Sequence, residues 1–177
     1  MKIALIGKKA TGKTFVAFYL QKQHKFKRIR MDDGITKFLR DMYAYSNYQR
    51  PTWEMRVDIY DALYKIDPTM HLKYLYRKME RISKDIVIED VRYISELQDL
   101  HEHGFTIIRI AAPEMRRRRH IGKSLRDAAT GTLLLSEHFF NDKTIAYNAD
   151  YVILNDTREN TRQAIDKLLD EIRSKEV

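Results

Sequence analysis

The 177-residue chain contains no cysteine. That excludes disulfides and thiolate metal sites and fits a reducing compartment. No apolar run approaches the roughly 20 residues needed to cross a bilayer. The short apolar run after Lys2 leads into a glycine motif, not a small-residue cleavage site. Neither a membrane partner nor a signal peptide is therefore expected, and the cytoplasm is the expected compartment. Repeats, low-complexity tracts and Pro/Gly/Ser-rich linkers are absent. Length then favours a single domain, 1–177. The six histidines show no metal-ligand spacing. His101 and His103, flanking Glu102, read as solvated surface, and Met55, Met70 and Met79 as packing.

Hydrophobic residues make up 44% of the chain, enough for a core, and the formal net charge is +8. A positive field draws anions such as nucleotides or nucleic acid; the competing reading is a basic surface without a particular partner. Five short apolar runs read as strands: Ile3 to Ile6, Phe26 to Ile29, Ile86 to Ile88, Thr106 to Ile110 and Tyr151 to Leu154. The third and fifth are continuously apolar, as in strands buried on both faces of a parallel sheet. Helical stripes separate them, as in Thr161, Ile165, Leu168, Leu169 and Ile172. This alternation predicts an α/β fold with a parallel sheet. Two excursions interrupt it: residues 33–84, cut by Pro51 and Pro68 into about three helices, and residues 113–140.

"GKKATGKT", residues 7–14, meets the pattern G-x-x-x-x-G-K-[ST] through Gly7, Gly12, Lys13 and Thr14, with a strand before it and a helix pattern after it. Here Gly7, Lys8, Lys9, Ala10, Thr11 and Gly12 are expected to curl backbone N–H groups around a polyphosphate. The helix start adds its positive dipole end. Lys13 reaches the β- and γ-phosphates, and the Thr14 hydroxyl ligates Mg²⁺. The chain is thus read as a P-loop nucleotide binder. In "IVIEDVR", residues 86–92, a carboxylate ends an apolar strand. Asp90 is the candidate to organise Mg²⁺, with Glu89 as the alternative; either residue would otherwise cap the next helix. Arg92 follows two residues later. Arg116 to Arg119 form an unbroken run in the second excursion. Guanidinium forks there suit a lid that stabilises charge during phosphoryl transfer and excludes water; a solvated basic face or a nucleic-acid contact competes with that reading.

Together the P-loop, "IEDVRYISELQDLHEHGFTIIRIAAP" (88–113), "SEHFF" (136–140) and "ADYVILND" (149–156) resemble the bacteriophage-type deoxynucleoside monophosphate kinases. These are relatives of dephospho-CoA kinase within the nucleoside monophosphate kinase group. Asp90, Val91, Arg92 and Glu96 match the first part of the family pattern, and Ser136, Glu137, Asn155 and Asp156 match its last. The resemblance implies a P-loop NTPase three-layer sandwich with a five-stranded parallel sheet. It also implies a helical acceptor-binding insertion (33–84) and an arginine-rich lid (113–140). The implied reaction moves the γ-phosphate of ATP, with Mg²⁺, to a (deoxy)nucleoside 5′-monophosphate. Lys13, Arg92, Arg116 and Arg119 are then the catalytic candidates. Asn155 joins the P-loop on the ATP side. Asp32, Asp33, Lys37, Arg40, Trp53, Arg56 and Arg92 are acceptor candidates, and Trp53, Tyr45 and Tyr48 are weighed as base-stacking aromatics against a place in the core. The segment "PTWEMRVDIYDALY" departs from the family pattern, because Arg56 lacks the Leu-Gln and glycine neighbours. The expected partners are small nucleotides, in the host cytoplasm if the chain is viral. The oligomeric state is left open, a homodimer being one option.

Competing functions remain. An alcohol acceptor would need a carboxylate base, for which Asp32 or Asp33 qualifies. A nucleic-acid 5′-end kinase would exploit the +8 charge and "RRRR". A regulatory switch ranks last, since "LNDT" (154–157) is not a guanine-recognition motif.

Overall fold

The computed structural model describes residues 1–44, 53–119 and 147–175. The strands are β1 (Lys2–Ile6), β2 (Lys27–Arg30), β3 (Ile86–Glu89), β4 (Thr106–Ala111) and β5 (Tyr151–Leu154). They form one sheet in the order β2-β3-β1-β4-β5. Ile3 lies opposite Val87, Leu5 opposite Ile108 and Ile110 opposite Ile153, all in parallel pairing. The sequence-derived strands lie within a residue or two of these bounds, and the five-stranded α/β architecture is the one expected.

Helices follow the strands: α1 (Lys13–Gln23), α2 (Asp33–Ala44), α3 (Trp53–Ile66), α4 (Met70–Met79), α5 (Ile94–Glu102) and α6 (Arg158–Lys175). Residues 114–119 are also helical. Among the described residues, no helix is long and apolar enough to cross a membrane.

The chain divides into two compact units. The first comprises Met1–Arg28 and Asp85–Val177. Its core joins Ile3, Leu5, Val87, Ile108, Ile110 and Ile153 of the sheet to Val16, Ala17 and Leu20 of α1 and Ile165, Leu168, Leu169 and Ile172 of α6. Side chains alternate along a strand, so Ala4, Ile88 and Ile107 face the other side; all three are fully buried, and α5 packs against β4. Helices on both faces of a parallel sheet let Ile86, Val87 and Ile88 of β3 be buried on both sides, whereas β5, read from its sequence as buried on both faces, lies at the sheet edge and leaves Val152 and Leu154 exposed. The consequence of the parallel sheet for function is geometric: the carboxyl ends of β1, β3, β4 and β5 come out along one edge, where the loops that follow them meet.

The second unit, Ile29–Lys84, holds α2, α3 and α4. Buried Ile35, Leu39, Val57, Tyr60, Leu72 and Leu75 supply its apolar positions. The His71 ring stacks on Tyr60 with centroids 3.6 Å apart, and His71 Nε2 donates to the Tyr60 carbonyl at 3.1 Å. This histidine is a satisfied core residue.

Candidate functional site: a phosphate loop at the strand ends

Beyond β1 the backbone enters conformations that side chains resist. Gly7 has φ 140° and Gly12 φ 98°. A Cβ on Gly7 would lie 2.2 Å from the Ile110 carbonyl, and one on Gly12 would lie 2.0 Å from Asn155 Nδ2. Ala10, between them, also takes a positive φ of 62°. The loop curls so tightly that Thr11 is buried, with its hydroxyl donating to the Lys8 carbonyl at 2.8 Å. Helix α1 starts at once and carries no acidic residue in its first turn, so the positive end of its dipole is not offset by its own side chains.

Lys13 arches back over this loop. Its Nζ donates to the carbonyls of Gly7 at 2.6 Å and Lys8 at 3.2 Å. Burial lowers its pKa from the ordinary lysine value; the carboxylates of Asp90 and then Glu89 act in the opposite direction, and Arg117 adds to the lowering. A desolvated ammonium held by loop carbonyls is a cation in wait for a stronger anion.

The next residue, Thr14, donates its hydroxyl to Glu89 Oε2 at 3.1 Å. Glu89 closes β3 and is 1% exposed. Its other oxygen, Oε1, accepts from both Nε and Nη2 of Arg28 on β2. Asp90 stands one step further, where the chain turns through φ 67°. Of the two carboxylates weighed in the sequence, Glu89 is therefore the one on the Thr14 hydroxyl, and Asp90 contributes the larger attraction at Lys13. Hydroxyl and carboxylate oxygens are a hard donor set of the kind Mg²⁺ takes together with phosphate oxygens. Among the described residues no group of three or more His, Cys, Asp or Glu is placed to hold a metal.

Arg92 and Tyr93 follow, and their N–H groups both donate to Glu96, at 3.0 and 3.1 Å. Glu96 is fully buried. It opens α5 and fixes the backbone that carries Arg92.

The β5–α6 loop supports the phosphate loop. Asn155 Nδ2 donates to the Thr11 carbonyl at 2.7 Å, while Asn155 Oδ1 accepts from Thr161 at 2.9 Å. The residue expected on the ATP side is therefore buried beneath the loop, with its carboxamide engaged on both sides. The arginine run also departs from expectation. Arg116 bonds the carbonyls of Asn155, at 2.8 Å, and Asp156. Arg117, absent from the sequence candidates, is the buried member: it pairs with Glu114 and donates from Nε to the Lys9 carbonyl at 3.0 Å. Arg119, a candidate, is exposed. A cavity of about 250 Å³ opens beside this cluster, lined in part by Gly7, Lys8, Arg109, Glu114 and Arg117. The Glu114-to-Arg117 spacing of three was the available signal for Arg117; the remainder of the segment expected to form a lid, residues 120–140, lies outside the described residues.

In the second unit, Asp32 is 1% exposed. Its carboxylate lies 3.1 Å from Arg30 Nε and 3.9 Å from Arg56 Nη1. Asp33 instead pairs with Lys78 at 2.6 Å. Asp32 and Arg56 thus come together as a pair, whereas Lys37 and Arg40 are exposed on α2. Tyr45, Tyr48 and the Trp53 side chain lie outside the described residues.

No protein-family model and no curated protein matches the chain. Solved structures do. TT1252 from Thermus thermophilus superposes with a TM-score of 0.62 at 14% identity, covering 97% of each chain. The shikimate kinase of Acinetobacter baumannii in complex with shikimate gives 0.56 at 14% identity, over 99% of this chain and 94% of that one. Kti12 from Chaetomium thermophilum in complex with ADP-AlF3 gives 0.52 at 19% identity, over 96% and 98%. At such identities the likeness is one of fold: these structures share the five-stranded sheet flanked by helices.

Proposed function

We propose that the chain is an ATP-dependent phosphotransferase of the bacteriophage deoxynucleoside monophosphate kinase type, acting in the cytoplasm on a (deoxy)nucleoside 5′-monophosphate to give the diphosphate. The observation that carries this reading is the arrangement of Lys13 and Thr14 at the head of α1, beside Glu89 and Asp90 and over a loop that only glycine at Gly7 and Gly12 permits. Such an array suits a polyphosphate and its Mg²⁺.

In the proposed reaction Lys13 exchanges the carbonyls of Gly7 and Lys8 for β- and γ-phosphate oxygens. Thr14, with Glu89 and Asp90 acting through water, would hold Mg²⁺, which neutralises charge on the phosphates. An oxygen of the acceptor phosphate attacks the γ-phosphorus, the bond to the β–γ bridging oxygen breaks, and ADP leaves. The acceptor oxygen is already anionic, so no protein base is required. Catalysis reduces to positioning and charge. Arg92 is assigned to the acceptor phosphate, and Arg116 and Arg119 to the lid.

A second reading rests on Asp32. A buried carboxylate beside Arg56 suits an acceptor hydroxyl, with Asp32 taking its proton as the oxygen attacks. An acceptor panel separates the two. Protein, Mg²⁺ and ATP are offered each nucleoside monophosphate, nucleosides, dephospho-CoA, sugar-like alcohols and a 5′-hydroxyl oligonucleotide, and ADP is followed. The first reading expects turnover with monophosphates that falls about 10²-fold in Arg92→Ala and survives Asp32→Asn. Turnover only with alcohols, abolished by Asp32→Asn, would select the second.

A further inference from the structure

Arg28 belongs to no phosphate-binding motif, yet its guanidinium is the main partner of the carboxylate behind Thr14. Both Nε and Nη2 of Arg28 bond the same oxygen, Glu89 Oε1. This leaves Oε2 as the oxygen that receives the Thr14 hydroxyl at 3.1 Å. The guanidinium is itself held: its Cζ lies over the Phe18 ring, 4.3 Å from the centroid, and the Arg28 side chain is 18% exposed. Phe18 is on α1, one turn after Thr14, and Arg28 is on β2, the edge strand beside β3. One helix thus presents both the hydroxyl and the aromatic platform, and two neighbouring strands present the arginine and the carboxylate.

We infer that Arg28 is a positioning residue for the Mg²⁺ of the bound nucleotide, acting through Glu89. The inference rests on the proposed nucleotide site and deepens it. Glu89 is almost wholly removed from water, and a carboxylate so placed needs a charged partner. The partner also decides which way the carboxylate faces. With Oε1 taken up by the guanidinium fork, Oε2 stays on the Thr14 side, where an Mg²⁺-bound water would need an acceptor. Lysine would supply the charge but not the fork. Outer-shell partners of this kind typically change metal affinity by about 10- to 100-fold when removed.

The test is the Mg²⁺ dependence of ADP binding, measured by calorimetry, which requires no turnover. In the wild type, saturating Mg²⁺ is expected to tighten ADP binding, and ADP without Mg²⁺ is bound by the loop alone. Arg28→Met is expected to lower the Mg²⁺-dependent tightening about ten-fold while leaving Mg²⁺-free ADP affinity within two-fold; Arg28→Lys should recover it only in part. Removing Arg28 leaves Glu89 buried without its partner and threatens folding, so Glu89→Gln and the double variant Arg28→Met/Glu89→Gln complete a cycle. If Arg28 acts through Glu89, the double variant shows the same Mg²⁺ dependence as Glu89→Gln alone. Wild-type Mg²⁺ dependence in Arg28→Met, or a further loss in the double variant relative to Glu89→Gln, overturns the inference and leaves the nucleotide site standing. Failure of the wild type to bind ADP under any condition overturns both.

Discussion

The Asn155 carboxamide donates to the Thr11 carbonyl at 2.7 Å, across 144 residues of sequence. It makes the β5–α6 loop the floor of the phosphate loop, since Asn155 Oδ1 is in turn fixed by Thr161. Asn155→Ala would strand a buried carbonyl and is expected to cost about 1–3 kcal/mol of stability, with a parallel loss of ADP affinity. Asn155→Asp should do worse, because an acceptor would face an acceptor. Denaturant unfolding and ADP titration of the two variants check this.

Gly12 lies against the same side chain. A methyl group there meets Asn155 Nδ2 at 2.0 Å, and the φ of 98° is foreign to L-residues. Gly12→Ala is expected to cost about 1–3 kcal/mol from backbone strain. The strain is localised in the loop, so ADP affinity should fall ten-fold or more while α6 and the sheet keep their amide-exchange protection. Unchanged affinity would mean that the loop can relax without Asn155.

Lys13 makes the nucleotide-free protein less stable than it need be. Burial lowers its pKa, so the folded chain binds the proton more weakly than the unfolded chain does. The penalty is fully present below the folded pKa and is relieved as pH rises from that value towards the unfolded value of 10.5. Lys13→Met should therefore raise unfolding stability at pH 7, and the advantage should shrink at pH 10, while ADP binding is abolished. Urea midpoints at the two pH values test the sign.

Asp67 carries a separate pH signal in the second unit. Its carboxylate accepts from the Thr69 hydroxyl at 2.6 Å, Lys73 at 3.0 Å and the Thr69 N–H at 2.9 Å, which lower its pKa to about 2. The folded value lies below the ordinary 3.8, so its support for the start of α4 is present above pH 3.8 and is lost as pH falls through about 2. A carboxyl NMR titration should give this midpoint, and Asp67→Asn should abolish the associated acid-side stability change.

Much of the donor site was legible because its signals are local. Gly7, Gly12, Lys13 and Thr14 stand within eight residues, and the apolar runs on either side announce a strand and a helix. The choice between Glu89 and Asp90 was not legible. It depends on whether β3 ends one residue earlier or later, and the chain leaves the strand only at Asp90, through a positive φ. Arg28 on Glu89, Asn155 on Thr11 and Arg117 on Lys9 span 61, 144 and 108 residues. Such pairs are created by strand order and by the docking of α6, which no local pattern encodes. Within RRRR, the sequence does not say which arginines turn inward, because that depends on how the helix is seated; Arg116 and Arg117 are the two that bond the backbone of the Asn155 and Lys9 loops. Asp32 with Arg56 was partly visible as separate candidates, but their pairing required α2 and α3 to be folded together.

Phosphorus NMR on one sample bears most directly on the central claim, that residues 7–14 hold ATP for transfer of its γ-phosphate to a nucleoside monophosphate. Protein, Mg²⁺, ATP and a mixture of deoxynucleoside 5′-monophosphates are followed over time, with Lys13→Ala as the control. The account predicts paired growth of ADP and of a new nucleoside diphosphate in equal amounts, with none in the control. Release of inorganic phosphate alone, or no change in the ATP resonances at any protein concentration, would contradict it.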